Sequence, residues 1–268
     1  MSGFYIGVDG KARKVNGAYI GVDGVARKVK KGYIGDENGI ARLCWIANPF
    51  DPVFANNTWE EIAVACQTRS VPDEWSVGDQ KTMTINGVDY VVDIIGKNHD
   101  DYADGSGKAP LTFQFHDCYA TKYSMNNTVS NNGGWASCFM KRFHLPSILE
   151  VMPTEVKTAI REVNKLTSKG LKSSTIDTTI DKLFLLSEVE IFDTANMSFS
   201  GEGHQYKYYA DGNSASKKIV NASSAVGWWL RSPVTANDAR FAVVTLNGDY
   251  ASQGNADSEY GVSFAFCF

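Results

Sequence analysis

The 268-residue sequence contains no apolar run approaching the roughly 18 residues a membrane-spanning helix requires, so no membrane insertion is expected. Its opening residues, MSGFYIGVDGKARK, lack the apolar core of a signal peptide, which implies synthesis in a cytoplasm without such a signal. There is no excess of basic residues either. A formal net charge of -4 and a pI near 5.6 argue against a nucleic-acid partner, whose phosphates call for a basic face. The five cysteines, Cys44, Cys66, Cys118, Cys138 and Cys267, are odd in number and form no C-x-x-C pair; they read as buried free thiols. The four histidines, His99, His116, His144 and His204, show no ligand spacing with them, so no metal site and no cofactor is expected.

Sequence signatures of catalysis are missing as well. No G-x-S-x-G elbow, G-x-x-x-x-G-K-[ST] phosphate loop or H-E-x-x-H zinc helix occurs. The carboxylate pairs Asp100/Asp101 and Glu188/Glu190 have spacings that any surface would show. No catalytic residue is assigned, and the chain is not expected to be an enzyme. The polar run Asn98–Gly105 does not match the alternating oxygen ligands of an EF-hand loop and reads as a solvated loop.

Residues 1–45 hold an internal repeat. Tyr5-Ile6-Gly7-Val8-Asp9-Gly10 recurs as Tyr19-Ile20-Gly21-Val22-Asp23-Gly24, and a looser copy begins at Tyr33-Ile34-Gly35 with Asn38-Gly39 as its turn. Asp-Gly and Asn-Gly tolerate the positive φ angles of tight hairpin turns, so each copy predicts a short β-hairpin. Lone hairpins of this size are marginal. The segment therefore reads as an attachment or oligomerising stalk, or else as a loose extension. Asn48-Pro49-Phe50-Asp51-Pro52 is a break, and the chain is divided into residues 1–45 and a main domain at 46–268.

Hydrophobic residues make up 43% of the chain and aromatics 12%, enough for a substantial core. Thr58 and Glu61 form a capping-box signature for a helix over 59–69, with Trp59, Ile62, Ala63 and Cys66 on its apolar face. An Asn86-Gly87 turn joins two strands over 81–95, and a strand is expected at Leu111–Phe115. A helix is predicted over Trp135–Phe143 with Trp135, Phe139 and Met140 in the core, and another from Pro153 to Ile160. Strands are expected at Val163–Ser168 and Leu183–Leu186. Gly201–Tyr209 reads as an exposed aromatic loop carrying Tyr206, Tyr208 and Tyr209.

The last stretch, residues 228–268, alternates apolar blocks (Trp228-Trp229-Leu230-Arg231-Ser232-Pro233, Phe241-Ala242-Val243-Val244, and Gly261 to Phe266) with blocks of Asn, Asp, Ser, Ala, Gly, Gln and Tyr. Trp228, Trp229, Leu230, Phe241, Val243 and Phe266 read as a rigid frame. Tyr, Ser, Asn and Gly are the residues of adaptable recognition surfaces, because Tyr gives broad contact at low entropic cost and Ser and Asn give flexible hydrogen bonding. They are also ordinary turn formers, and that alternative stays open.

Several blocks together resemble a family. They are Ile94-Ile95-Gly96-Lys97-Asn98-His99-Asp100, Asn131-Asn132-Gly133-Gly134-Trp135, the run from Asp181 to Glu190, Glu202-Gly203-His204-Gln205-Tyr206, Gly227-Trp228-Trp229-Leu230-Arg231-Ser232-Pro233, and the end from Gly261 to Cys267. They resemble an uncharacterised domain family of gut bacteria and prophages with a C-type-lectin-like fold, over about residues 50–268. The N-terminal repeat resembles segments of phage-tail-associated proteins. A narrower resemblance is to the variable proteins of diversity-generating retroelements, whose C-terminal codons mutate at adenines.

The resemblance implies an α+β, C-type-lectin-like (formylglycine-generating-enzyme-like) domain preceded by β-hairpin repeats. Its ligand-binding positions would be Asn237, Asp238, Arg240, Asn247, Asp249, Tyr250, Ser252, Asn255, Asp257, Ser258 and Tyr260. The implied partner is a protein or glycan on a bacterial or host surface. Residues 1–45 would form a homo-oligomer such as a trimer or join a phage tail, and the location would be a virion or the bacterial cell surface. Departures are visible: Ser263-Phe264 stand where family members often carry Arg-Pro, calcium-lectin ligand motifs are absent, and the copper-binding cysteine pair of formylglycine-generating enzymes has no counterpart beside Cys267. The alternatives are a structural tail or surface module with no specific ligand, and an oxidative enzyme acting near Cys267.

Overall fold

A computed structural model describes residues 5–8, 11–14, 19–29, 31–35, 41–46 and 50–268. The Asp9-Gly10 and Asn38-Gly39 turns and Asn48-Pro49 lie outside the described residues, and so does the side chain of Cys44. The chain divides into two compact units, Met1–Pro52 and Val53–Phe268.

In the first unit each repeat forms an antiparallel two-stranded ladder. The pairs are β1 (Tyr5–Val8) with β2 (Lys11–Lys14), β3 (Tyr19–Val22) with β4 (Val25–Lys28), and β5 (Lys31–Gly35) with β6 (Ala41–Ile46). The middle turn takes φ of 52° at Asp23 and 76° at Gly24, the left-handed pair a tight hairpin needs. Tyr19, Ile20 and Val25 are exposed.

The second unit is mixed α and β, with antiparallel sheets and few, short helices. Thr58 caps α1 (Trp59–Gln67), and both capping-box bonds form: Glu61 N–H donates to Thr58 Oγ1 at 3.1 Å, and Thr58 N–H donates to Glu61 Oε2 at 2.8 Å. The buried face is Trp59, Ile62, Ala65 and Cys66. Ala63, expected there, is only half-buried. Strands β7 (Gln80–Ile85) and β8 (Val88–Lys97) meet at the Asn86-Gly87 turn, and β9 (Leu111–Phe115) follows.

The helix expected over 135–143 is broken. A short α2 (Gly134–Ser137) ends where Cys138 turns extended, and a π-helical turn (Met140–His144) leads into α3 (Leu145–Val151). The break has a tertiary cause. Phe139 N–H donates to Asn126 Oδ1 at 2.8 Å and Met140 N–H to the Met125 carbonyl at 3.0 Å, so neither continues α2. Trp135 and Met140 are buried as expected, but Phe139 is only half-buried.

Then come α4 (Thr154–Ala159), β10 (Val163–Ser168), β11 (Ile176–Asp181), β12 (Leu183–Phe184), α5 (Glu188–Phe192) and α6 (Lys207–Ala210). Leu185 and Leu186 are buried but continue no strand. The segment 201–209 is not an exposed loop: Tyr206, Tyr208 and Tyr209 are all buried. After β13 (Lys217–Lys218) and β14 (Ala225–Val226), the chain ends in β15 (Trp228–Pro233), β16 (Arg240–Val244), β17 (Ala251–Asn255) and β18 (Ala265–Cys267).

Two sheets place the terminal stretch. The larger runs β12-β18-β9-β8-β7, with β18 between β12 and β9. Its core is aromatic: the Phe113 ring lies 5.2 Å from both Phe266 and Phe268 and 5.7 Å from Trp59. The smaller sheet is β15-β16-β17. No helix among the described residues is long and apolar enough to cross a membrane.

Candidate functional site

Beneath the smaller sheet lies a closed polar network. Arg231 projects from β15 into full burial. Its guanidinium forks onto Glu190, with Nη2 to Oε1 at 2.8 Å, and donates to the carbonyls of Leu185 at 2.8 Å and Glu202 at 2.9 Å. Lys165 Nζ bridges Glu190 Oε1 at 2.6 Å and Asp100 Oδ1 at 2.7 Å and donates to the Tyr206 hydroxyl at 3.0 Å. Thr112 completes Asp100 by donating to Oδ2 at 2.6 Å.

Two cations thus face two carboxylates in a space closed to water, where only full pairing offsets desolvation. Burial raises the Asp100 carboxyl, but Lys165 and His99, with the hydrogen bonds to Lys165 and Thr112, outweigh it and hold the group at about 2. For Glu190 burial is likewise outweighed, by Arg231 and Lys165, and its carboxyl lies below its usual range. Glu202 differs. Burial dominates there, its bonds to Ser232, the Ser168 N–H and the field of Arg231 offset it only in part, and its carboxyl is pushed up to about 7. Glu188 is also fully buried; it accepts from the N–H groups of Asn196, Met197 and Ser198 and from the Ser198 hydroxyl.

This corrects two readings. Glu188 and Glu190 are not surface carboxylates, and Asn98–Gly105 is not wholly a solvated loop, because Asp100 is one of its buried members while Asp101 and Asp104 are exposed. The blocks that carried the resemblance meet here: Asp100, Glu190, Glu202, Tyr206 and Arg231 come from four of them. Their joint role is to fix the frame under the terminal sheet. Cys267 is fully buried beside it, 3.4 Å from Thr112 Oγ1 and 3.6 Å from Asp100, and burial pushes its thiol well above the ordinary range. That is the opposite of the depressed value a reactive thiolate needs.

The eleven ligand-binding positions that the resemblance implies, here called display residues, lie on and beside β16 and β17. None of the eleven is buried, whereas Trp228, Trp229, Leu230, Phe241, Val243 and Phe266 are. The hairpin divides them. Asn247, Asp249 and Tyr250 sit in the turn joining β16 to β17, where Asp249 accepts from Thr245 Oγ1 at 2.7 Å and Tyr250 is 55% exposed. Asn237, Asp238, Arg240, Asn255, Asp257 and Ser258 gather at the opposite end. There Arg240 faces Asn255 across the ladder and donates from Nε to its Oδ1 at 2.9 Å. Five-residue strands separate the two ends by about 15 Å. Ser252 pairs with Val243 between them.

Tyr260 stands apart from the rest. Its backbone bridges Tyr123, and its half-buried ring lies edge-on to Trp229 at 4.7 Å. A Cβ on Gly254 would come within 2.7 Å of that ring and 2.8 Å of Trp229, so this contact requires glycine there.

The six-residue end is held from outside by a residue that sequence reasoning did not single out as functional. Asn131, fully buried, donates from Nδ2 to the carbonyls of Asn237 at 2.8 Å and Arg240 at 2.9 Å, and its own N–H donates to the Asp238 carbonyl at 2.7 Å. Its Oδ1 accepts from Leu171 N–H at 2.8 Å. An Asn-Asn-Gly-Gly run signals a turn, but nothing local shows that one of its side chains pins a loop more than a hundred residues away. Among the described residues, no group of three or more His, Cys, Asp or Glu is placed to hold a metal ion.

An α+β chain with a buried ionic frame and a polar rim on its terminal sheet is thereby defined. Residues 111–268, more than half of the chain, match the family described as a domain of unknown function, DUF6273, and the chain belongs to that family. No curated protein and no solved structure matches it.

Proposed function

We propose that the chain is a receptor-binding or adhesion protein with a C-type-lectin-like domain, which presents its terminal sheet to a protein or glycan on a bacterial or host surface. Residues 1–45 attach or oligomerise it, on a phage or prophage tail or at a bacterial surface. The reading assigns no catalysis to the chain. The observation that carries it is the partition of the terminal stretch, in which the apolar blocks are buried and every display position is exposed or half-exposed. A loop end already pinned by Asn131 loses little freedom on binding, which favours affinity. The lectin-like reading is supported by the layout of the terminal stretch, in which β18 lies inside the larger sheet between β12 and β9 and a separate three-stranded sheet carries the polar loops. The exposed Tyr19, Ile20 and Val25 of the middle hairpin suit a role in association.

Recognition is assigned to the end that holds Asn237, Asp238, Arg240, Asn255, Asp257 and Ser258, because six candidates converge there. Fluorescently labelled chain, scored by flow cytometry on bacterial cells, tests this. Combined Asn237→Ala, Asp238→Ala and Asp257→Ala should abolish cell binding, while Asn247→Ala with Tyr250→Ala should leave most of it. Undiminished binding by the triple variant would refute the assignment. Diversification of the surface has its own test in the neighbouring DNA: a near-copy of the 228–268 coding region, differing at adenines and beside a reverse transcriptase, should be present.

A further inference from the structure

Away from the terminal sheet, a cleft of about 330 Å³ opens between the end of β8, the segment before β7, and α6. Val77 and Gly96 form an apolar wall, and Lys97, His99, Lys207 and Asp211 supply its charged and polar groups. The volume lies at the small end of the range for small-molecule sites.

His99 is the fixed member. Its half-buried ring stacks on Tyr206, centroids 4.0 Å apart and planes 26° from parallel. Tyr206 is in turn locked by hydrogen bonds to Asp100 and Lys165. The imidazole therefore rests on the buried network and is held in place. Among the described residues, neither of its ring nitrogens has a hydrogen-bond partner; only its carbonyl is engaged, by Lys108. Burial holds the ring below the ordinary histidine range, with the nearby carboxylates opposing, so at neutral pH it is uncharged, with one nitrogen able to donate and one to accept.

The two lysines complete the cleft. Lys97 Nζ donates to the Trp75 carbonyl at 2.6 Å, which uses one of its three donors. Lys207 Nζ meets Asp211 at 2.7 Å. Two ammonium groups against one carboxylate leave an excess of positive charge in a concave site, which concentrates anions. We propose that this cleft binds a small polar ligand through one anionic group, a carboxylate or a phosphate, contacted by Lys97 and Lys207 and hydrogen-bonded by His99. The site is separate from the terminal surface and does not depend on the role proposed for it.

The test is an NMR titration of the full chain with sodium acetate or sodium phosphate, at constant ionic strength set with chloride. A saturable shift of the His99 ring signals and the Gly96 amide is expected with at least one anion. Acetate alone would mark a carboxylate site, phosphate alone a phosphate site, and both a site open to either. Lys207→Gln removes an exposed charge and Lys97→Gln keeps a donor for Trp75, so both variants should fold. Each should weaken the response about fivefold, the scale of one partly exposed charge contact. No saturable shift with either anion, or equal affinity in both variants and the parent, would overturn the proposal.

Discussion

Replacing Glu202 with Gln should remove a pH dependence that the buried network builds into the fold. The carboxyl sits against Ser232 and the Ser168 N–H, close to Arg231 and Glu190, and titrates near 7 in place of 4.5. Between those values the folded state keeps a proton that the unfolded chain has released. Its contribution is therefore full below about pH 4.5 and is lost as the pH rises through about 7. A span of that width corresponds to roughly 3 kcal/mol. Above it, an ionised Glu202 adds a charge to a cluster in which Arg231 and Lys165 already match Glu190 and Asp100. Glutamine fills the same space, can hydrogen-bond Ser232 and does not titrate. His99 and His144, both pushed down by burial, change stability in the other direction, but they do so equally in parent and variant. Urea unfolding of both proteins from about pH 5 to pH 8 isolates the effect. The stability of the parent relative to Glu202→Gln should fall by roughly 3 kcal/mol across that range. Parallel curves would show that the carboxyl ionises freely in the folded state and that the network is not closed there.

Three further outcomes follow from the same contacts. Lys165→Met should destabilise by about 3–5 kcal/mol in thermal or urea unfolding, because it leaves the buried Asp100 without a counter-ion and Glu190 with Arg231 alone; a loss under 1 kcal/mol would mean that water reaches Asp100. Tyr260→Ala should cost about 2 kcal/mol by removing the ring packed on Trp229, whereas Tyr250→Ala should stay within about 0.5 kcal/mol, so equal melting shifts would contradict the separation of Tyr260 from the other display positions. Asn131→Ala should cost about 1–3 kcal/mol and raise hydrogen exchange at the Leu171 amide it caps; unchanged exchange would show that this amide is protected by other contacts.

Local chemistry was legible in the sequence. The capping box at Thr58 and Glu61 and the Asn86-Gly87 hairpin are set by neighbours within a few residues, the blocks around Trp228 and Phe241 announce burial by their apolar content, and each appears as read. What escaped is long-range. Glu190 looks like any surface carboxylate until Arg231, 41 residues on, arrives beside it, and Asp100 looks solvated until Lys165, 65 residues on, covers it. The helix over 135–143 failed for the same reason, since Asn126 and Met125 take the N–H groups that would have extended it. The display positions rest on a family resemblance and on their composition and placement between the apolar blocks, none of which can show that a hairpin would split them between its two ends.

The place of β18 has a consequence in time. Leu183–Phe184 and Leu111–Phe115 are not hydrogen-bonded to each other, because Ala265–Cys267 lies between them and pairs with both. Neither can complete its ladder until the ribosome has made a segment far downstream, so the larger sheet closes late and through contacts of long sequence separation, the kind that folds slowly. A nascent chain stalled before residue 265 would carry two open edges around an unfilled aromatic core, a state prone to aggregation and exposed to proteases. A chain terminated before this strand is therefore expected to be one that cell quality control can recognise.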